Sequence, residues 1–259
     1  MRIRIFALPL AVIATMGALC LLSGSAHAQA TRTWISGVGD DANPCSRTAP
    51  CKTFAGAISK TSTGGEMNCL DPGGFGALTI TKAISIVCGQ SGLAGVLVSG
   101  TNGIVVNAPS SRVILDGLDF EGLGSGLNGV SISAATLVII RNSTIRNFTG
   151  FGVNMAAATG TPAPRVLIQN TLITGNTGGG INVQGASSAI NDAEVLNSLI
   201  DTNTTFGIQV VGPSTLVLSA SVVTGQPNSI ITSSGGSVIS YGNNVLRNTG
   251  APTSTLPLQ

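Results

Sequence analysis

The sequence predicts an all-β fold, a solenoid of parallel strands, and three observations carry that prediction. Four rows repeat: Val113-x-Leu115-x-Gly117-x-x-Phe120, Val138-x-Ile140-x-Asn142-x-x-Ile145, Val166-x-Ile168-x-Asn170-x-x-Ile173 and Ala193-x-Val195-x-Asn197-x-x-Ile200, their first residues 25, 28 and 27 apart. A glycine and a β-branched residue follow each row, at Gly129-Val130, Gly152-Val153, Gly180-Ile181 and Gly207-Ile208, and in the last three that glycine comes ten residues after the asparagine. Only 8% of the chain is charged and 3% aromatic, yet its Val, Ile and Leu are too numerous for a disordered chain. Short β-branched runs with period-two alternation mark strands with one face on a core. A unit of this size cannot bury its apolar side alone, whereas stacked units can.

Residues 1–28 read as a secretory leader, with Arg2 and Arg4, an apolar run over 5–22 and the small-residue stretch SGSAHA before Gln29. A membrane anchor needs about 20 apolar residues; this run is shorter and contains Pro9. Residues 29–62 form the expected N-terminal cap: a disulfide loop, then a helix over 53–60 with Thr53 as N-cap and Phe54, Ala57 and Ile58 on one face. The solenoid proper is expected over 63–248, with three strands per repeat and weaker rows at 80–87, 104–106, 216–223 and 238–245. Residues 249–259 are expected to be a C-terminal tail that serves as a loose cap. Asn142, Asn170 and Asn197 should stack at one turn as a structural ladder of side-chain amides.

Cys45 and Cys51 raise three readings: a zinc site, a redox pair or a staple for the cap. Zinc wants C-x-x-C pairs or histidines, and a catalytic dithiol usually wants C-x-x-C; the only histidine, His27, sits in the leader. Disulfides are the normal state of exported cysteines. Four cysteines allow three pairings; Cys45 with Cys51 and Cys69 with Cys88 are favoured, the second pair lying 19 residues apart, close to one coil.

The rows, the segment PCKTF and the stretch LDPGGFGALTITKAISI together resemble right-handed parallel β-helix proteins of the pectin-lyase-like superfamily, over about residues 32–248. The resemblance implies a right-handed single-stranded parallel β-helix with an N-terminal capping helix. It implies no one activity, since that superfamily holds lyases, hydrolases, adhesins and proteins without known chemistry. In its enzymes the substrate cleft follows the outer face of the strand that corresponds here to the Gly-[VI] segments. Outward positions there read Val105, Ser131, Asn154, Asn182 and Gln209. The superfamily's calcium-dependent lyases use clustered carboxylates with an Arg or Lys base, and its polygalacturonase-like hydrolases use several aspartates with His and Arg; this chain shows neither set at those positions.

Without Arg2 and Arg4 the chain has ten basic and ten acidic residues and no net charge, which argues against nucleic acid and anionic membranes as partners. Loss of His27 removes imidazole-based catalysis and His-ligated metals. The acidic run Asp116, Asp119 and Glu121 is a candidate for calcium or acid/base work. One coil on, however, Arg141 falls beside Asp116 and Arg146 beside Glu121, and Asp192 likewise falls beside Arg165, so ion pairs along the stack are the expected use. If the protein is an enzyme, a polysaccharide lyase or glycoside hydrolase, then Asp119, Glu121, Arg146 and Asp201 are its catalytic candidates. Asp40, Asp41 and Asn43 offer calcium ligands at the cap without the spacing of a known loop, so no cofactor or metal is expected. Asn-x-Ser/Thr triplets at Asn142, Asn147 and Asn203 read as turn chemistry.

The expected function is presentation of a surface to a polysaccharide or cell-envelope component without catalysis. Ser131, Asn154, Asn182 and Gln209 would bind the ligand, Phe151 and Phe206 would stack on sugars, and the loops at 156–164 and 184–192 would flank them. Neutral amides and hydroxyls suit sugar hydroxyls because they donate and accept without a desolvated charge. The alternatives are the enzyme above and a structural or adhesive component. The protein is expected to be monomeric, secreted or periplasmic, with no membrane insertion once the leader is cleaved.

Overall fold

The computed structural model describes residues 29–89, 93–157, 163–186 and 191–257. Residues 1–28, where the sequence predicts a leader, and positions 158–162 and 187–190 of the two expected flanking loops lie outside them. Seven successive coils, from Thr61 to Ser233, visit three sheets in the same order. Sheet 1 takes strands such as Arg112–Asp116, Leu137–Arg141, Arg165–Gln169 and Asp192–Leu196; sheet 2 takes Asp119–Glu121, Thr144–Arg146, Leu172–Thr174 and Leu199–Asp201; sheet 3 takes Val130–Ala134, Phe151–Ala156, Gly179–Gln184 and Phe206–Val211. The sheets hold ten, eight and seven strands. Pairing is parallel and in register, Val113↔Val138↔Val166↔Ala193, so the repeating apolar positions stack into one continuous core.

The turn between sheets 1 and 2 explains the asparagines. Asn142, Asn170 and Asn197 have φ of 52°, 49° and 47°, a left-handed conformation that Asn tolerates better than most residues. Asn170 Nδ2 donates to Asn142 Oδ1 at 3.2 Å, and Asn197 Nδ2 donates to Asn170 Oδ1 at 2.7 Å, which is the amide ladder expected from the sequence. A second, buried ladder runs six residues further on: Asn176 accepts from the Phe148 N–H, and Asn203 accepts from the Asn176 N–H, each at 3.1 Å. Asn203, at 1% exposure, is thus an internal strut.

The glycine at a fixed offset has a steric cause. A Cβ at Gly152 would lie 2.5 Å from Ile173 Cγ2, and one at Gly180 would lie 2.5 Å from the Gly207 carbonyl oxygen. The chain enters sheet 3 pressed against the next coil, where no side chain fits.

At the amino end, helix α1 (Phe54–Lys60) covers the first coil. The Thr53 hydroxyl accepts from the Gly56 N–H at 2.9 Å as the N-cap. Phe54 and Ala57 are buried, with Phe54 edge-on to Phe75 at 5.3 Å between ring centroids. Disulfides join Cys45 to Cys51 and Cys69 to Cys88, with Cα atoms 4.7 and 4.9 Å apart. Sheet 1 is longer than the sequence pattern shows at both ends. Ala30–Ile35, inside the cap segment, pairs with Thr61–Cys69, and Ser254–Thr255 pairs with Ser237–Ser240. Over that stretch the tail covers an edge that would otherwise leave backbone N–H and C=O groups unpaired. Among the described residues no helix is long and apolar enough to cross a membrane.

Candidate functional site

The outer face of sheet 3 carries one column in register: Thr79, Val105, Ser131, Asn154, Asn182 and Gln209. Ser131, Asn154 and Gln209 are partly exposed. Asn182 Nδ2 donates to Asn154 Oδ1 at 2.9 Å, and Asn182 is only 4% exposed. Sandwiched between the rungs of Asn154 and Gln209, Asn182 positions Asn154 rather than offering its own amide to a ligand. The Ser131 hydroxyl, the Asn154 side-chain N–H groups and the Gln209 amide have no hydrogen-bond partner among the described residues.

At its amino end the column runs into a hollow of about 400 Å³ lined by Ala55 and Ile58 of helix α1 with Leu78, Thr79, Asn102 and Val105. The sequence placed the helix over the first coil but gave no sign that its flank walls the cleft face. Only the coil-to-coil register brings Ile58 and Val105 together.

Phe206 corrects the expected stacking platform. It is 5% exposed and folds over Gly179, where a Cβ would lie 2.4 Å from its ring. Its centroid is 5.8 Å from that of Phe151, so the pair fills the space the glycine leaves, and only Phe151 is partly exposed.

The four ionisable candidates on sheet 2 do not converge. Arg146 Nη1 and Nη2 donate to Asp119 at 2.5 and 3.0 Å, and its Nε donates to Glu121 at 2.7 Å. Burial alone works against the guanidinium charge, but the hydrogen bonds and charges of Asp119 and then Glu121 outweigh it and hold the Arg146 pKa above its ordinary value. Asp201 stands apart, with Thr174 in the rung between it and Arg146, about 10 Å away at two strand spacings. Arg141 pairs with Asp116 at 2.9 Å and Arg165 with Asp192 at 3.1 Å. At the cap, Asp41 accepts from the Lys52 and Thr53 N–H groups and the Thr53 hydroxyl, so its carboxylate is taken up by the start of the helix. Among the described residues no three His, Cys, Asp or Glu side chains are placed to share a metal ion.

Three stacked parallel sheets, internal amide ladders and a helical cap define a β-helix repeat protein. The chain belongs to the right-handed β-helix family, whose pattern, described as a right handed beta helix region, matches residues 84–248. Among solved structures it is similar to pectate lyase Pel9A, with a TM-score of 0.65 and 14% identity, over 81% of this chain and 61% of that one. The chain thus spans less than two thirds of that enzyme's length, and the likeness is one of fold. A rhamnogalacturonan lyase aligns more loosely, with a TM-score of 0.34 and 12% identity over 80% of this chain and 75% of that one. No curated protein matches.

Proposed function

We propose that this is an exported β-helix protein that acts as a monomer in the periplasm or outside the cell, holding a polysaccharide or cell-envelope glycan along the outer face of sheet 3 without cleaving it. The observation that carries this reading is the column Ser131, Asn154 and Gln209: neutral groups with unpartnered donors and acceptors, the first two on adjacent rungs about 4.8 Å apart and the third two rungs beyond Asn154, leading into a hollow walled by helix α1. Two disulfides fit an oxidising compartment. The non-catalytic reading is supported by Arg146, whose raised pKa and three charge-assisted bonds make it a poor base.

The test is retention on a panel of immobilised plant and bacterial polysaccharides. Asn154→Ala with Gln209→Ala should weaken retention about tenfold if it removes one or two net hydrogen bonds, with an unchanged circular dichroism spectrum. Retention equal to wild type would remove the site assignment. The same panel, incubated with and without calcium and read by mass spectrometry, covers catalysis: new unsaturated or reducing ends would replace this reading with that of a lyase or hydrolase.

A further inference from the structure

The only tryptophan of the chain lies away from the sheet 3 face. In the strand Ala30–Ile35, Thr33 and Ile35 are buried, which turns Arg32 and Trp34 outward on sheet 1. Their neighbours in the next rung are Glu66 and Asn68. Arg32 is held by both, Nη2 donating to Glu66 at 2.7 Å and Nε to Asn68 at 3.0 Å, with its guanidinium carbon 5.8 Å from the centre of the Trp34 ring.

The first disulfide loop is laced to the same strand: the Trp34 N–H donates to the Cys45 carbonyl at 2.8 Å and the Cys51 N–H donates to the Trp34 carbonyl at 3.0 Å. A turn closed by the Ala49 N–H on the Ser46 carbonyl sets Arg47 at the loop tip. Arg47 has no ion pair among the described residues. Together Arg32, Trp34, Arg47, Asn68, Cys69 and Leu70 line a hollow of about 390 Å³; Cys69 is bonded to Cys88, and the Cys45–Cys51 disulfide closes the loop that carries Arg47.

We propose that this hollow binds a carboxylated sugar ring of an acidic glycan. An indole accepts the C–H face of a ring, and a guanidinium fork takes a carboxylate in two parallel hydrogen bonds; the Asn68 amide, which accepts from Arg32 and donates to Glu66 at 2.8 Å, holds Arg32 in place. Arg47 is the free fork; Arg32 is preset by Glu66 and Asn68. A nucleic acid strand needs a basic track beyond the first ring, and the outward residues of the next two rungs are Ser85, Val87, Ile114 and Asp116. The site therefore fits one charged ring, and it does not depend on the sheet 3 reading.

Trp34 is its own reporter, because all tryptophan emission from the mature chain comes from this hollow. The full mature protein is titrated at low salt with a glucuronate-containing tetrasaccharide and with its uncharged methyl ester, by tryptophan fluorescence and by calorimetry. The acid should give a saturable emission change with matching heat, and the ester should bind at least tenfold more weakly. Arg47→Gln, at an exposed loop tip, should weaken the acid at least tenfold, since one hydrogen bond to a charged group contributes roughly 1.5–3 kcal/mol. Asn154→Ala, on the sheet 3 face, should leave the Trp34 fluorescence titration unchanged even where it alters the total heat, which separates this site from the sheet 3 face. Absence of both signals, equal binding of acid and ester, an unaltered Arg47→Gln titration, or equal saturation by dextran sulfate or single-stranded DNA would overturn the proposal.

Discussion

Replacing Arg146 by methionine distinguishes a clamp between coils from a catalytic group. The guanidinium spans one rung to hold Asp119 and Glu121 through three bonds of 2.5–3.0 Å. An exposed ion pair contributes about 0–1 kcal/mol, whereas breaking a buried one costs about 3–5 kcal/mol because charge is left without a partner. The Arg146, Asp119 and Glu121 side chains are 34%, 15% and 17% exposed, which lies between those limits and sets the expected loss at about 2–3 kcal/mol. Most of that loss is the uncompensated charge of two neighbouring carboxylates. Asp119→Asn and Glu121→Gln added to Arg146→Met should therefore recover most of it. Urea unfolding at neutral pH reads this as a lowered midpoint with unchanged slope for the single variant, and a return toward wild type for the triple. A single variant within about 0.5 kcal/mol of wild type, inside the range of ordinary surface changes, or a triple no better than the single, would refute the clamp.

Two further outcomes follow from groups the stack leaves unusual. Gln226 continues the buried column of Asn176 and Asn203, but among the described residues both polar atoms of its side-chain amide lack a partner at 2% exposure. Gln226→Asn restores the length the ladder uses and should raise stability by about 1 kcal/mol; an unchanged or lower unfolding midpoint counts against it. For Asp41, burial alone would raise the pKa, but the Thr53 and Lys52 hydrogen bonds and the Lys60 charge outweigh it and hold the pKa below its ordinary value. A carboxylate lowered in this way stabilises the fold above its unfolded pKa of about 4, and that contribution disappears as pH falls through the folded value. Acid should thus loosen helix α1 first, seen as faster amide exchange over 54–60 from about pH 4 downward. Asp41→Asn should remove that pH step; an identical step in the variant would mean that another group controls it.

What was legible in the sequence was whatever repeats with the coil. Rows 25–28 residues apart located Asn142, Asn170 and Asn197, and a one-coil offset paired Arg141 with Asp116 and Arg146 with Glu121, because parallel register turns sequence distance directly into contact. The buried ladder was open to the same reading, since Asn176 and Asn203 each follow a ladder asparagine by six residues. The triplet Asn203-Thr204-Thr205 hides that role, because it also has the form of turn chemistry. Period two says which way a side chain points but not what lies beside it. That is why Asn182 and Phe206 were expected at the surface, although one is pinned between rungs and the other folds into a gap left by Gly179. The strand at Ser254–Thr255 escaped notice because two residues show no period at all.

The charge pattern of the two outer faces follows from the rung spacing itself. Like charges on adjacent rungs, about 4.8 Å apart, repel by about 3.5 kcal/mol at an effective dielectric constant of 20. A column of carboxylates on a solenoid is therefore destabilising unless a cation sits in it or the signs alternate. Sheet 2 solves this with Glu121, Arg146, Thr174 and Asp201, where the adjacent charges are opposite and a hydroxyl separates Arg146 from Asp201. Sheet 3 avoids it, running from Thr79 through Val105, Ser131, Asn154 and Asn182 to Gln209 with no ionised group. Such a face is stable with nothing bound and can be long without accumulating charge repulsion. A face that must gather a cation before its carboxylates can stand side by side pays for that assembly at every binding event, and the residues of sheet 3 carry no such demand.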